Sequence, residues 1–170
     1  MVNLSPDTEV DGAWGSGYRY KVDTVQGFSH IHAWQLSGLS VMPVTVDDSN
    51  AKSIYTDFKS KFSHDKEKVA PGYHALELKK YNIDVELTST KRVGLHKYSF
   101  PKNGKRAAVL FNLNGMLGPN KNTDGVLEQV NETSLQGELL IAETSRRPKP
   151  TKLFFTIDLN TEIASLEKDD

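Results

Sequence analysis

Two segments near the start of the chain combine aromatic, polar and glycine residues as a sugar-binding site does. Trp14 lies in the first segment, residues 11–18, and Trp34 lies in the second, residues 27–35. An indole ring offers a flat apolar face to the C–H surface of a pyranose, while imidazole, amide and carboxylate groups bond the hydroxyls. A glycine-rich loop around a core tryptophan has the same composition, so a structural role stays open.

The second segment also contains two histidines, His30 and His32, separated by one residue. On a β-strand both imidazoles would point to one face. They could line a polar site, ligate a metal or serve as hydrogen-bonded structural residues. A zinc site needs a third protein ligand, and the remaining histidines, His64, His74 and His96, show no metal-site spacing. The sequence therefore assigns no metal to them.

Catalytic groups are not evident from residue types and spacing. Glycoside hydrolysis needs two carboxylates on opposite sides of one bond, a geometry that spacing does not reveal. Asp7, Asp11 and Asp65 are candidates by composition, and turn or capping roles are the plainer interpretation. The chain lacks cysteine, a nucleophile elbow and a phosphate-binding glycine loop. We assign no catalytic residue from the sequence.

Length and composition bound the class of protein. The 170 residues fit one domain, residues 1–170, and 37% hydrophobic with 25% charged residues is ordinary for a globular chain. Lys and Arg number 21 and Asp and Glu 22, for a net charge of −1. Without a basic excess, nucleic acid is disfavoured as a partner. No apolar run approaches the ~20 residues of a membrane helix.

Alternation of apolar and polar residues predicts an all-β protein. In the clearest run, Ile83, Val85 and Leu87 take one face and the residues between them take the other. Short strands with turn signals every 8–12 residues or so indicate an antiparallel β-sandwich or barrel. The predicted strands cover residues 73–78, 83–88, 92–100, 106–113, 126–130, 135–141 and 153–159.

Several local features are also predicted. The apolar parity changes within residues 92–100, as a bulge near His96 or burial on both faces would require. Asn103-Gly104 has the chemistry of a tight hairpin turn. A four-residue spacing of apolar residues behind Ser49 allows one short helix over residues 49–62. Residues 114–124 are predicted to form a loop.

Eight motifs in order give the chain a resemblance to glycoside hydrolase family 92, the calcium-dependent α-mannosidases. The motifs are Leu4-Ser5-Pro6-Asp7-Thr8, Ser16-Gly17-Tyr18-Arg19-Tyr20, Gly27-Phe28-Ser29-His30-Ile31-His32, Phe62-Ser63-His64-Asp65, Pro71-Gly72-Tyr73, residues 85–96, Tyr98-Ser99-Phe100-Pro101 and residues 146–152. The resemblance spans nearly the whole chain. It implies an N-terminal antiparallel β-sandwich of the galactose-mutarotase-like super-sandwich type.

The resemblance also implies what the chain does. In the family, an (α/α)6 barrel follows the sandwich and holds the Glu acid, the Asp base and the calcium of an inverting hydrolysis. This chain would then be a partial N-terminal domain that contributes sugar-facing loops and is not catalytic alone. Its partners would be α-mannoside glycans and the C-terminal barrel domain. The carbohydrate-binding residues implied by the motifs, with the second tryptophan, are Trp14, Ser29, His30, His32 and Trp34.

Two departures and two alternatives accompany this interpretation. The tryptophan-rich family pattern is shortened around Trp14, and Ala33 stands where a subgroup carries Glu. A stand-alone carbohydrate-binding module, using the tryptophans and histidines without hydrolysis, is one alternative. A structural sandwich whose apolar face docks a partner domain is the other.

Overall fold

The alternating sequence folds almost entirely into β-strands. A computed structural model describes residues 2–11, 15–31 and 37–168. A short 3-10 helix covers His64–Lys66, and no helix in the described part of the chain is long and apolar enough to cross a membrane. The strands are β1 (Ser5–Asp7), β2 (Thr24–Val25), β3 (Gly27–Ser29), β4 (Ser40–Val46), β5 (Ser60–Lys61), β6 (Lys68–Ala70), β7 (Tyr73–Leu78), β8 (Ile83–Ser89), β9 (Gly94–Ser99), β10 (Arg106–Asn112), β11 (Met116–Leu117), β12 (Asn120–Gln129), β13 (Ser134–Ile141) and β14 (Thr151–Asp158).

The strands form antiparallel sheets around a common core. The orders are β1-β3-β4-β10, β6-β7-β8-β9, β11-β12-β13-β14 and the small pair β2-β5. Phe28 and Val44 from the first of these sheets, Val85 from the second and Leu139 from the third are buried in one hydrophobic cluster. Each such side chain contributes roughly 1.5–3 kcal/mol through burial. The predicted all-β sandwich is confirmed.

The alternation in β8 shows how sequence sets the sandwich. Ile83, Val85 and Leu87 are buried, and Asp84 between them is exposed. β7 pairs antiparallel with β8 from Tyr73 to Leu78. One face of this sheet therefore belongs to the core and the other to solvent.

Neither alternative considered for residues 92–100, a bulge near His96 or burial on both faces, is found in β9. β9 pairs with β8 in unbroken register, and Gly94, His96 and Tyr98 face inward. Leu95, on the other parity, is half exposed. Hydrophobicity misled the prediction because the inward positions of β9 carry polar rings instead of aliphatic side chains.

The helix allowed over residues 49–62 does not form. Successive turns fill residues 48–56, and β5 occupies the end of the segment. Asp47 Oδ1 accepts a hydrogen bond from the Ser49 amide, while Asn50 Oδ1 accepts one from the Asp47 amide. Such side-chain bonds to backbone compete with a continuous helix.

Two connections also differ from the sequence prediction. Gly104 has φ +79° in a turn, as Asn103-Gly104 predicts, but this turn joins β9 and β10, which lie in different sheets. It is therefore not a hairpin. The loop predicted at residues 114–124 instead contains β11 and the start of β12.

Candidate functional site

The connection between β3 and β4 places the candidate sugar-facing residues. Ser29 pairs with Ser40 at the ends of these strands, so residues 30–39, here called the β3–β4 loop, leave the sheet together. His32 and Trp34 belong to this loop but lie outside the described residues, as does Trp14. Ser29 and His30 are described.

His30 closes the base of the β3–β4 loop. Its backbone N–H donates to the Leu39 carbonyl oxygen at 3.2 Å, and its ring Nδ1 lies 2.8 Å from the same oxygen. The His30 carbonyl accepts a hydrogen bond from the Asn3 amide at 2.9 Å. One residue therefore fastens both ends of the loop to each other and to the N-terminal segment.

The other ring nitrogen of His30 meets the inward face of β9. His30 Nε2 lies 2.9 Å from His96 Nε2, and His96 Nδ1 lies 2.7 Å from the Tyr98 hydroxyl. Burial lowers the pKa of His30, and burial with the nearby His30 lowers the pKa of His96 to about 3. Burial also raises the pKa of the Tyr98 hydroxyl above its usual range. All three rings are therefore neutral at pH 7.

Ser29 is directed to a different group. Its side chain is buried, and its Oγ donates to Asp7 Oδ1 at 3.0 Å. Burial raises the pKa of Asp7 to about 7, although hydrogen bonds from Ser29 act in the opposite direction. Asp7 thus lies in a strand and has a raised pKa. The turn or capping role considered for it is wrong.

Asp7 and Ser29 line a cavity of about 260 Å³ whose wall combines polar and apolar side chains. Ser37 and Asn122 also line it, with the Ser37 hydroxyl donating to Asn122 Oδ1 at 3.3 Å. Val10 and Ser37, which line the cavity, lie next to the segments that carry Trp14 and Trp34.

A second polar cluster lies around Glu67. Its carboxylate accepts hydrogen bonds from the Tyr18 hydroxyl, His64 Nδ1 and His74 Nε2 at 2.7, 2.6 and 2.7 Å. Burial alone would raise the pKa of Glu67, but these three donors lower it. The same contacts raise the pKa of His64. This cluster joins the segment before β2 to β7. Both carboxylate oxygens of Glu67 accept hydrogen bonds within the cluster.

Metal ligands are not grouped in the described part of the chain. No set of three or more His, Asp or Glu side chains within residues 2–11, 15–31 and 37–168 could hold a metal ion. The residues present there do not fit a calcium site, which needs six to eight oxygen ligands.

The sequence matches the family model of the glycosyl hydrolase family 92 N-terminal domain over residues 1–168. The chain belongs to this family. Among solved structures, this family 92 domain is similar to the family GH92 α-mannosidase BT3965 from Bacteroides thetaiotaomicron, with a TM-score of 0.81 and 24% identity over 96% of this chain. The same enzyme in complex with mannoimidazole matches equally, at a TM-score of 0.81 and 24% identity over 96% of this chain.

The family 92 domain spans 23% of the first of these structures and 22% of the second. A comparison with curated proteins gave no match. At 24% identity, the likeness to BT3965 establishes the fold of the domain. The family membership rests on the match over residues 1–168.

Sequence reasoning identified two of the residues described here and missed others. It chose Ser29 and His30, whose polar atoms face Asp7, Leu39 and the ring of His96. It did not choose His96 or Tyr98. Their two-residue spacing, the same signal used for His30 and His32, would have placed both rings on one face of β9.

Proposed function

We propose that this family 92 N-terminal domain forms one wall of an α-mannoside-binding site and has no hydrolytic activity by itself. The sugar-contacting side chains in this proposal are Trp14, His32 and Trp34. Ser29 and His30 have a supporting role in this proposal, since the Ser29 hydroxyl and the His30 ring nitrogens bond within the protein.

The β3–β4 loop and the cavity beside it support this assignment. The loop is fastened at its base by His30 and Leu39, so its conformational freedom is reduced before a ligand arrives. The wall of the cavity of about 260 Å³ includes the polar side chains of Asp7, Ser37 and Asn122 beside apolar ones. Such a mixed lining suits a sugar ring, which presents both hydroxyl groups and C–H surface.

Family membership is the basis for proposing a mannoside as the ligand. The α-mannosidase BT3965, similar in fold, has been solved in complex with mannoimidazole. We extend a mannose-like ligand from that enzyme to this chain. The catalytic acid and base, and the calcium of the parent enzymes, belong in this proposal to a C-terminal (α/α)6 partner domain, and residues 1–170 form one partial sandwich domain.

Isothermal titration calorimetry with α-mannobiose tests the proposal on the 170-residue chain. We expect weak but measurable binding, with cellobiose giving none. Trp14→Ala and Trp34→Ala should each weaken binding roughly two- to tenfold, because each removes a stacking face worth about 0.5–1.5 kcal/mol.

Phe154→Ala is the matched control, since Phe154 is an aromatic residue of β14 that is 68% exposed and lies outside the cavity lining. It should bind as the unsubstituted chain does. Equal losses in all three variants, or no preference for α-mannobiose over cellobiose, would contradict the proposal.

A further inference from the structure

The backbone and the side chain of His30 both help to close the base of the β3–β4 loop. The His30 backbone and its ring Nδ1 both meet the Leu39 carbonyl oxygen, at 3.2 and 2.8 Å. If the ring turned by half a rotation about χ2, the ring bond to Leu39 would be lost. A group that fixes the orientation of the His30 ring therefore maintains one of the two hydrogen bonds between His30 and Leu39, at the ends of the loop.

Hydrogen-bond chemistry determines the proton positions along this chain of rings. A carbonyl oxygen only accepts, so His30 Nδ1 carries the proton and donates to Leu39. In a neutral imidazole the other nitrogen is an acceptor, so His96 Nε2–H donates to His30 Nε2. His96 Nδ1 then accepts from the Tyr98 hydroxyl. Each donor meets one acceptor, and no second arrangement of neutral rings satisfies all three bonds.

The β9 backbone leaves room for this contact. A Cβ atom at Gly94 would lie 3.0 Å from His30 Cδ2 and 3.5 Å from Leu4 Cδ2. A glycine at this position lets the His30 ring approach β9 closely enough to reach His96. Gly94, His96 and Tyr98 thus share one face of β9. Gly94 and His96 approach the His30 ring, and Tyr98 reaches it only through His96.

We propose that His96 and Tyr98 are positioning residues of the sugar site, because they hold His30 in the single tautomer and orientation that closes the β3–β4 loop. This inference rests on the proposed function for its effect on sugar binding. The side chains themselves do not contact the sugar. They act through His30, at the end of a directed series of hydrogen bonds from Tyr98 to Leu39.

The test is imidazole ¹⁵N NMR together with calorimetry on the 170-residue chain. The unsubstituted chain should show His30 protonated at Nδ1 and His96 protonated at Nε2. In Tyr98→Phe the His96 ring loses the donor to its Nδ1 and should populate both tautomers. Exchange of the His30 amide proton should accelerate, and the Kd for α-mannobiose should rise roughly five- to tenfold, the value of about one hydrogen bond.

Tyr73→Phe is the matched control. Tyr73 lies on β7 of the same sheet and donates to Glu86 at 2.7 Å, away from His30. Its loss should leave the tautomers, the His30 amide exchange and the Kd unchanged. A second pair of variants, both at His96, controls for misfolding. His96→Leu should weaken binding. His96→Gln, which keeps an N–H donor near His30, should restore part of the binding.

The outcomes separate this inference from the proposed function. If the unsubstituted chain does not bind α-mannobiose, the proposed function fails, and the tautomers and amide exchange alone judge the positioning role. If it binds and Tyr98→Phe binds equally with unchanged His96 tautomers, the positioning role is wrong. An equal loss in Tyr73→Phe also overturns it, since the effect would then be general to the sheet.

Discussion

Asp7 is a carboxyl group held almost entirely out of water. It lies on β1, is 2% exposed, and accepts the Ser29 hydroxyl at the wall of the cavity. Burial disfavours its charged form, so its pKa is raised to about 7. The folded protein therefore holds a proton on Asp7 between about pH 4 and 7, where the unfolded chain has released it.

This difference predicts a pH dependence that Asp7→Asn should remove. Because the folded state binds the extra proton, the Asp7 contribution to the free energy of unfolding falls as pH rises from about 4 to 7, by up to ~1.4 kcal/mol per pH unit. Urea unfolding across this range should show the wild type losing stability relative to Asp7→Asn as pH rises. Contributions from the histidines cancel in this comparison.

Ser29→Ala is a control for the same carboxyl. The Ser29 hydrogen bond lowers the pKa of Asp7, so its loss should raise that pKa further. The pH dependence should then persist and extend to higher pH. Parallel stability curves for the wild type and Asp7→Asn would contradict a raised pKa at this residue.

Residue identity predicted which side chains are polar but not which residues would be their hydrogen-bond partners. Ser29 and His30 were recognisable as chemistry-bearing, yet their partners, Asp7 and His96, are 22 and 66 positions away. Local spacing carries no information about such pairings. A buried aspartate also looks identical in sequence to a turn aspartate, so the charge state of Asp7 became evident only from its packing.

At the level of elements, alternation predicted the strands well where the buried face is aliphatic. It located β8 because Ile83, Val85 and Leu87 are all inward. It failed in β9, where the inward face is His96 and Tyr98. A strand whose buried side chains form hydrogen bonds has no clear hydrophobic parity, so its register follows from the sheet and not from its own sequence.

Gly137, in the middle of β13, is a point of close approach between strands. A Cβ there would overlap the Val126 backbone oxygen and lie 2.5 Å from Phe155 Cζ. Gly137→Ala should therefore lower the free energy of unfolding by roughly 1–3 kcal/mol, since the neighbours must shift to admit a methyl group. Chemical denaturation measures this change.

Gln136→Ala provides the comparison on the same strand. Gln136 is exposed, so its truncation should change stability by no more than about 0.5 kcal/mol. If both variants unfolded at the same denaturant concentration, the close packing at Gly137 would not be limiting stability.

At the scale of the whole molecule, the chain should bind without hydrolysing. Its match covers 23% of the family GH92 enzyme BT3965, and in our proposal the catalytic carboxylates come from a partner domain. Loss of an acid and a base each costs roughly 10²–10⁴-fold in rate. The purified chain should release no mannose from α-mannobiose above the uncatalysed rate in a coupled assay.

A substituted chain distinguishes true activity from contamination. Asp7→Asn should behave as the unsubstituted chain does, with no release. Mannose release that Asp7→Asn abolishes would instead make Asp7 a catalytic residue and would contradict the proposed division of roles.

Family, fold class and the main strands were all predictable from sequence, because ordered motifs and alternation extend along the chain. Sheet membership was not. The Asn103-Gly104 turn predicted a hairpin from its chemistry, but the turn carries the chain from one sheet to another. Turn residues fix the backbone angles of a bend, and the sheet that each flanking strand joins depends on distant partners.

The sheet that holds the β3–β4 loop has a consequence for synthesis of the protein. β4 pairs along its whole length with β10. The partner of Val46 is Arg106, sixty residues later in the chain, and the partner of Ser40 is Asn112. β6 to β9, by contrast, pair with strands that follow directly in the chain. On the ribosome, that local sheet can assemble while β4 still lacks its outer neighbour, so the proposed sugar-facing region gains the complete support of its own sheet only after β6 to β9 have been made.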